Sequence, residues 1–228
     1  MFCCLKSTDK IMTIKVKPEK KKGFSHFRYS EAFKLLNIDQ LQKWHIEMHS
    51  CPPSDFLKIR LKRLEQCFDL QNYEESKKLI IDAICEEAII KFDRLKIWKG
   101  AALSSDVATG AADYLIAERK AYLEAPFLCI VEAKKDDFEQ GLAQCLVEMQ
   151  ACQWRNNEIG KEIDVFGIVT NGDTWKAYKL AIAGAVYETM PHATGDLDRV
   201  LGLLQAIFQE CQGNLLKSKP NQNKPYVK

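Results

Sequence analysis

Short apolar runs alternating with amphipathic stretches mark out the chain. Phe127-Leu-Cys-Ile-Val131 is apolar throughout and leads into Glu132-Ala133-Lys134. Upstream, Ala111-Ala-Asp-Tyr-Leu-Ile-Ala117 carries a single acid, Asp113, in an otherwise apolar stretch. Both runs are short, β-rich and bounded by breakers, which predicts strands. Phe92 to Trp98 predicts an earlier strand and Ile163 to Thr170 a later one. Asn171-Gly172 is a favoured hairpin turn that returns the chain through Asp173 to Leu180, and Val186 with Tyr187 adds a short strand.

Helical periodicity fills the intervals. From Asn72 to about Phe92, Leu79, Ile80, Ala83, Ile84, Ala88 and Ile89 recur at i, i+3, i+4 spacing, the longest such pattern. Asp136 or Asp137 is placed to cap a helix that turns Phe138, Leu142, Cys145 or Leu146, and Met149 inward. A last helix is expected from Leu197 to Cys211, ending at Gly213. Before the long helix, Ser30 predicts a cap for Phe33, Leu35 and Leu36, and Asp39 a cap for a helix carrying Leu41, Trp44, Ile46 and Met48. After Pro52-Pro53, Ser54 caps a stretch with Phe56, Leu57, Leu61, Leu64 and Phe68 on one side and Lys58, Arg60, Lys62 and Arg63 on the other.

The order is helices, a long helix, three strands, a helix, two strands and a helix. A strand–helix–strand crossover between the Glu132 run and the Phe166 run favours a mixed sheet with helices on both sides, hence the α/β class. The expected organisation is a basic arm over 1–23, a helical cover over 24–70, a core over 71–213 and a polar, disordered tail over 214–228. The lysines of the arm read first as a solvated tail, and second as an attractor of phosphate.

Composition narrows this little. The chain of 228 residues is 46% apolar and 28% charged with a formal net charge of +2, so charge alone does not argue for nucleic acid. Nine cysteines, an odd number without a C-x-x-C pair, fall mostly at apolar positions. They read as reduced thiols of a cytoplasmic protein rather than as disulfides or a zinc site. No stretch approaches the roughly 18 apolar residues that span a membrane, so no membrane partner is expected.

Candidate chemistry centres on Asp113, Glu132 and Lys134. Side chains alternate along a strand, so Glu132 and Lys134 share a side, and pairing of the two strands brings Asp113 beside them. Two carboxylates converging on a lysine suit a hard divalent cation and an activated water, the requirements of phosphodiester hydrolysis. The conjunction of long helix, strand, Asp strand, Glu-x-Lys strand, glutamine-bearing helix and strand resembles the core of the PD-(D/E)XK nuclease superfamily. It is nearest to the nuclease domain of type I restriction-enzyme motor subunits. The residues that carry the likeness are Gly110 to Tyr114, Ile130 to Lys135, Gln140 to Glu148 and Gly167 to Trp175.

The resemblance implies a restriction-endonuclease-like mixed sheet flanked by helices, with an N-terminal helical extension. It implies Mg²⁺, or Mn²⁺, bound by Asp113 and Glu132, with Lys134 orienting or helping to deprotonate the attacking water, or meeting the scissile phosphate as a cation. Gln140, Gln144 and Glu148 share a helix face at i, i+4, i+8. Gln144 is the first choice for a substrate or water contact and Gln140 the second, while Glu86 or Glu87 would complete the site from the long helix. The chain departs from the pattern in having Ala112 before Asp113 and no tyrosine in the glutamine helix. The implied partner is nucleic acid, DNA ahead of RNA, and a homodimer is compatible with the reading. The alternative is a catalytically inactive scaffold that binds nucleic acid or protein with the same fold.

Other motifs do not compete. His45-Ile-Glu-Met-His49 is not H-E-x-x-H, no third ligand accompanies it, and no G-x-S-x-G or phosphate-binding G-x-x-x-x-G-K-[ST] occurs. Trp44, Trp98, Trp154 and Trp175 read as core or rim residues, with Trp154-Arg155 the one pair placed to meet a base.

Overall fold

One mixed sheet of nine strands, packed between helices, accounts for most of residues 21–134 and 137–217, the residues that this computed structural model describes. In chain order come β1 (Lys22–Gly23), a 3-10 turn (Phe24–His26), α1 (Tyr29–Leu36), β2 (Gln42–Lys43), α2 (Asp55–Cys67) and α3 (Glu74–Ile89). There follow β3 (Leu95–Ser104), β4 (Ala108–Glu118), β5 (Phe127–Ala133), α4 (Phe138–Glu158), β6 (Val165–Thr170) and β7 (Thr174–Leu180). The described residues close with β8 (Val186–Glu188), β9 (His192–Ala193) and α5 (Leu197–Lys217).

The main path through the sheet is β1-β4-β5-β6-β7-β8-β2, with β3 on β4 and β9 on β7. β4 and β5 run antiparallel from Tyr114 opposite Val131, and β5 and β6 run parallel with Glu132 opposite Val169. Helix α4 makes that parallel crossover, as the order of signals predicted. Two apolar layers sandwich the sheet. One holds Ile81, Ile84 and Cys85 of α3 with Leu204, Ile207 and Phe208 of α5; the other holds Leu146, Met149 and Cys152 of α4 with Ala32 of α1.

Several caps are where the sequence placed them. Ser54 accepts from Leu57 N at 3.1 Å, and Asp137 accepts from Gln140 N at 2.8 Å. At α1 the N-cap is Arg28, not Ser30, with Glu31 bonding back to Arg28 N at 2.8 Å. The helix expected after Asp39 does not form. Residues 39–54 hold no helix: after a bend at 39–40 only β2 is regular, and Trp44, Ile46 and Met48 pack on the core while His45, Glu47 and His49 stay exposed. Trp44, Ile46 and Met48 are spaced by two, the period of a strand; only Leu41, Trp44 and Met48 at i, i+3, i+7 suit a helix, and tertiary burial selected the former pattern. Helix α5 continues through Gly213, so the expected stop fails. The first core strand starts at Leu95, later than Phe92, and β3 runs on to Ser104.

The segment 24–70 is not a cap laid on a finished core, because β2 joins the sheet beside β8, and β1, just ahead of it, joins beside β4. Most of the basic arm and of the tail lies outside the described residues. Among the described residues seven cysteines are free thiols, and no helix is long and apolar enough to cross a membrane.

Candidate active site

The site lies where the β4–β5 ladder stops. Beyond the Tyr114–Val131 pair, Ala133 N donates to Asp113 Oδ2 at 3.0 Å, so the Asp113 carboxylate caps the end of β5. Lys134 N donates to Thr170 O at 2.9 Å, which holds the next residue against the end of β6. Glu132 and Lys134 project to the same side, and Lys134 Nζ lies 3.0 Å from Glu132 Oε1. That ion pair is misaligned for a hydrogen bond, and among the described residues neither oxygen of the fully buried Glu132 accepts one.

Helix α4 closes the inner wall. A Cβ on Gly141 would lie 2.9 Å from both Lys134 Cγ and Val169 Cγ1, and one on Gly167 of β6 would lie 2.4 Å from Met149 Sδ. Glycine at these two positions lets α4 lie flush on β5 and β6. The approach presents Gln144 and Glu148 to Glu132. Gln144 Nε2 donates to Glu148 Oε1 at 3.0 Å, leaving Gln144 Oε1 and Glu148 Oε2 buried without partners among the described residues. At the other end of α4, Asn156 clasps Phe127 through its N and O, each at 2.7 Å, and so sets β5 against the helix.

Electrostatics show how tightly the acids crowd. Burial, and then the neighbouring Asp113, push the Glu132 carboxyl up to about 7 against the pull of Lys134. Burial, and then Glu132, hold Glu148 well above the usual carboxylate range despite its bond from Gln144. For Lys134, burial favours the neutral amine, but Glu132 outweighs it and the net direction is up. Glu132 at its side thus favours the charged form of Lys134.

The structure distributes the expected residues unevenly. Asp113, Glu132, Lys134 and Gln144 come together. Gln140 instead donates to Ser25 O at 3.0 Å and Phe27 O at 3.2 Å, tying α4 to the N-terminal turn. Glu86 pairs with Arg60, and Glu87 accepts from Ser54 N and Oγ, each at 2.9 Å, so both serve the α2–α3 contact. What α3 brings to Asp113 is Lys78, with Glu74 and Glu75 in the first turn. Helical spacing carried the signal: Glu74, Lys78, Ile81 and Cys85 lie on one stripe with the buried face, which Glu86 and Glu87 do not. Glu148 was legible only as part of a polar face.

Among the described residues no three His, Cys, Asp or Glu side chains converge as a ready-made cation cage. Mg²⁺ needs no such cage, since it keeps several waters and takes one or two carboxylates with substrate oxygens. The oxygens of Glu132, which meet Lys134 but accept no hydrogen bond among the described residues, and the acid excess around them fit a divalent cation, because a buried carboxylate must otherwise pair or protonate. An open cleft of 660 Å³ lies away from this site, lined by Trp44, His49, Phe166, Lys179 and Gly202 among others. It includes none of the residues above. His45 and His49 lie beside it on the extended segment, not on one helix face. Arg155 lies over the ring of Trp154 and pairs with Glu158 at 2.8 Å. No family model and no curated protein matches the chain.

Proposed function

We propose that the chain is a Mg²⁺-dependent nuclease of the PD-(D/E)XK type, cleaving phosphodiester bonds of nucleic acid, with DNA the favoured substrate. The observation that carries the reading is the buried Glu132 carboxylate, short of hydrogen bonds, with Asp113 capping its strand and Lys134 at its side. Asp113 and Glu132 would hold Mg²⁺ or Mn²⁺, which supplies positive charge for the phosphate and a bound water of lowered pKa.

The remaining work falls to the chain's own groups. Lys134, 3.0 Å from Glu132, is suited to donate to the water or a phosphate oxygen and to stabilise developing charge. Gln144 has a free acceptor, its Oε1, with which to orient a donor such as water. Glu148 behind it keeps the inner wall acidic. Lys134 and Asp113 are partly exposed while Glu132 and Glu148 are closed off, so substrate meets the site from the Asp113–Lys134 side.

The second reading, a non-catalytic scaffold, is favoured by one observation: Lys134 faces Glu132 and Lys78 faces Asp113, so each acid already has a cation. Cleavage of plasmid and single-stranded substrates in Mg²⁺, Mn²⁺ or EDTA separates the two. Wild type is expected to cut only with divalent cation, and Asp113→Ala and Lys134→Ala to lose on the order of 10² or more in rate. Cutting that survives in both variants would overturn the site, and failure of wild type to bind Mn²⁺ in calorimetry would favour the scaffold.

A further inference from the structure

Lys78 is a lysine that nothing in the reaction above uses, yet it is among the most constrained in the molecule. Its side chain is 13% exposed, and its Nζ lies 3.1 Å from Asp113 Oδ1, 2.9 Å from Glu75 Oε1 and 3.6 Å from Glu74 Oε1. Tyr114, the residue after Asp113, places its hydroxyl 3.3 Å from the Lys78 carbonyl and donates to it. Two consecutive residues of β4 thus grip one residue of α3, by its backbone and by its ammonium. With Oδ2 taken by Ala133 N and Oδ1 by Lys78, both oxygens of Asp113 are engaged.

We infer that Lys78 is the internal counter-cation of this site, holding Asp113 when no divalent cation is bound and being displaced from it when one binds. The inference rests on the reading of Asp113 and Glu132 as cation ligands. An ammonium and a divalent cation cannot share one carboxylate closely without strong repulsion at low local dielectric. Displacement leaves no charge stranded, because Glu74 and Glu75 in the first turn of α3 remain within reach of Lys78. Lys78 then retreats onto α3 and stays beside the site as a cation near the incoming phosphate. The same contact explains how a cluster of acids stays folded without metal, since the lysine supplies the missing charge.

Calorimetric titration of the full chain with Mn²⁺ tests this, alongside melting in EDTA and in Mn²⁺. Lys78→Met removes the competitor and is expected to tighten Mn²⁺ binding on the order of tenfold. Its melting point should fall in EDTA and rise with Mn²⁺ by more than that of wild type. Lys78→Arg keeps the charge but grips the carboxylate with a planar fork, so Mn²⁺ binding should weaken. Lys99→Met is the control, since Lys99 pairs with Asp82 at 2.7 Å and not with Asp113, and it should change the affinity by less than about twofold. Should Lys78→Met fail to fold, Lys78→Arg, which keeps the charge, decides the matter by the sign of its effect. Mn²⁺ binding in wild type that is unchanged in Lys78→Arg, or weakened in a folded Lys78→Met, overturns the inference and leaves the nuclease reading standing. Absence of Mn²⁺ binding in all four proteins overturns both.

Discussion

At the scale of single residues, the least comfortable group is Glu132. Its carboxyl is raised in the fold from an ordinary 4.5 to about 7, so the folded protein holds this proton more tightly than the unfolded chain. The stabilisation is complete below pH 4.5 and disappears as pH rises through about 7, a difference on the order of 3 kcal/mol for this group alone. Denaturant midpoints in EDTA are therefore expected to fall between pH 5 and pH 8, and Glu132→Gln should flatten that slope. A wild-type profile that is flat or rises over this interval would contradict the burial argument. Asn156 is the opposite case, fully satisfied by Phe127. Asn156→Ala strands a buried N–H and C=O and should cost about 1–3 kcal/mol in equilibrium unfolding.

Between elements, the decisive contact is α4 against β5 and β6, and its two glycines have separable consequences. Gly167→Ala drives a methyl into Met149 and Cys145, two apolar side chains that the proposed chemistry does not use. It should destabilise by about 1–3 kcal/mol and leave cleavage per folded molecule nearly intact. Gly141→Ala drives a methyl into Lys134 and Val169. Lys134 is the flexible partner and gives way, so cleavage should fall by more than the loss of stability explains. Rates normalised to the folded fraction distinguish the two variants, and equal losses in both would show that Lys134 does not depend on this approach. The α4 crossover itself was legible, because apolar strand, capped helix and apolar strand in sequence admit few arrangements. The depth to which α4 sinks was not, since it depends on a glycine in the helix meeting a side chain from a strand.

Across the whole molecule, the extended segment 39–54 binds distant parts of the chain. Trp44 N donates to Glu188 O at 2.7 Å, its indole stacks on Phe166 at 6.0 Å, and Cys51 N donates to Asp198 O at 3.0 Å. These contacts gather β8, β6 and α5 at the end of β6 opposite to Val169, the partner of Glu132. Trp44→Ala should cost on the order of 2 kcal/mol and speed proteolysis within 42–53 while the normalised cleavage rate holds. A matching loss of cleavage would show that the segment reaches the site.

Local periodicity and capping chemistry were readable along the chain before any tertiary contact was known. They set the β4 and β5 strands, the Ser54 cap, a helix cap at Asp136 or Asp137, and the shared side of Glu132 and Lys134, and they placed a chain reversal after Thr170, though Thr170 pairs with Trp175 across a longer connection than a two-residue turn. These depend on neighbours a few residues away. Tertiary structure decided the rest, because it turns on burial against partners far along the chain. It chose the alternating form for Trp44, Ile46 and Met48 over the helix that Leu41, Trp44 and Met48 alone would suit. It sent Glu86 and Glu87 to α2 and brought Lys78 to Asp113. It buried Glu148, whose exposed-looking place on a polar helix face became an acidic wall once Gly141 and Gly167 let α4 close on the sheet.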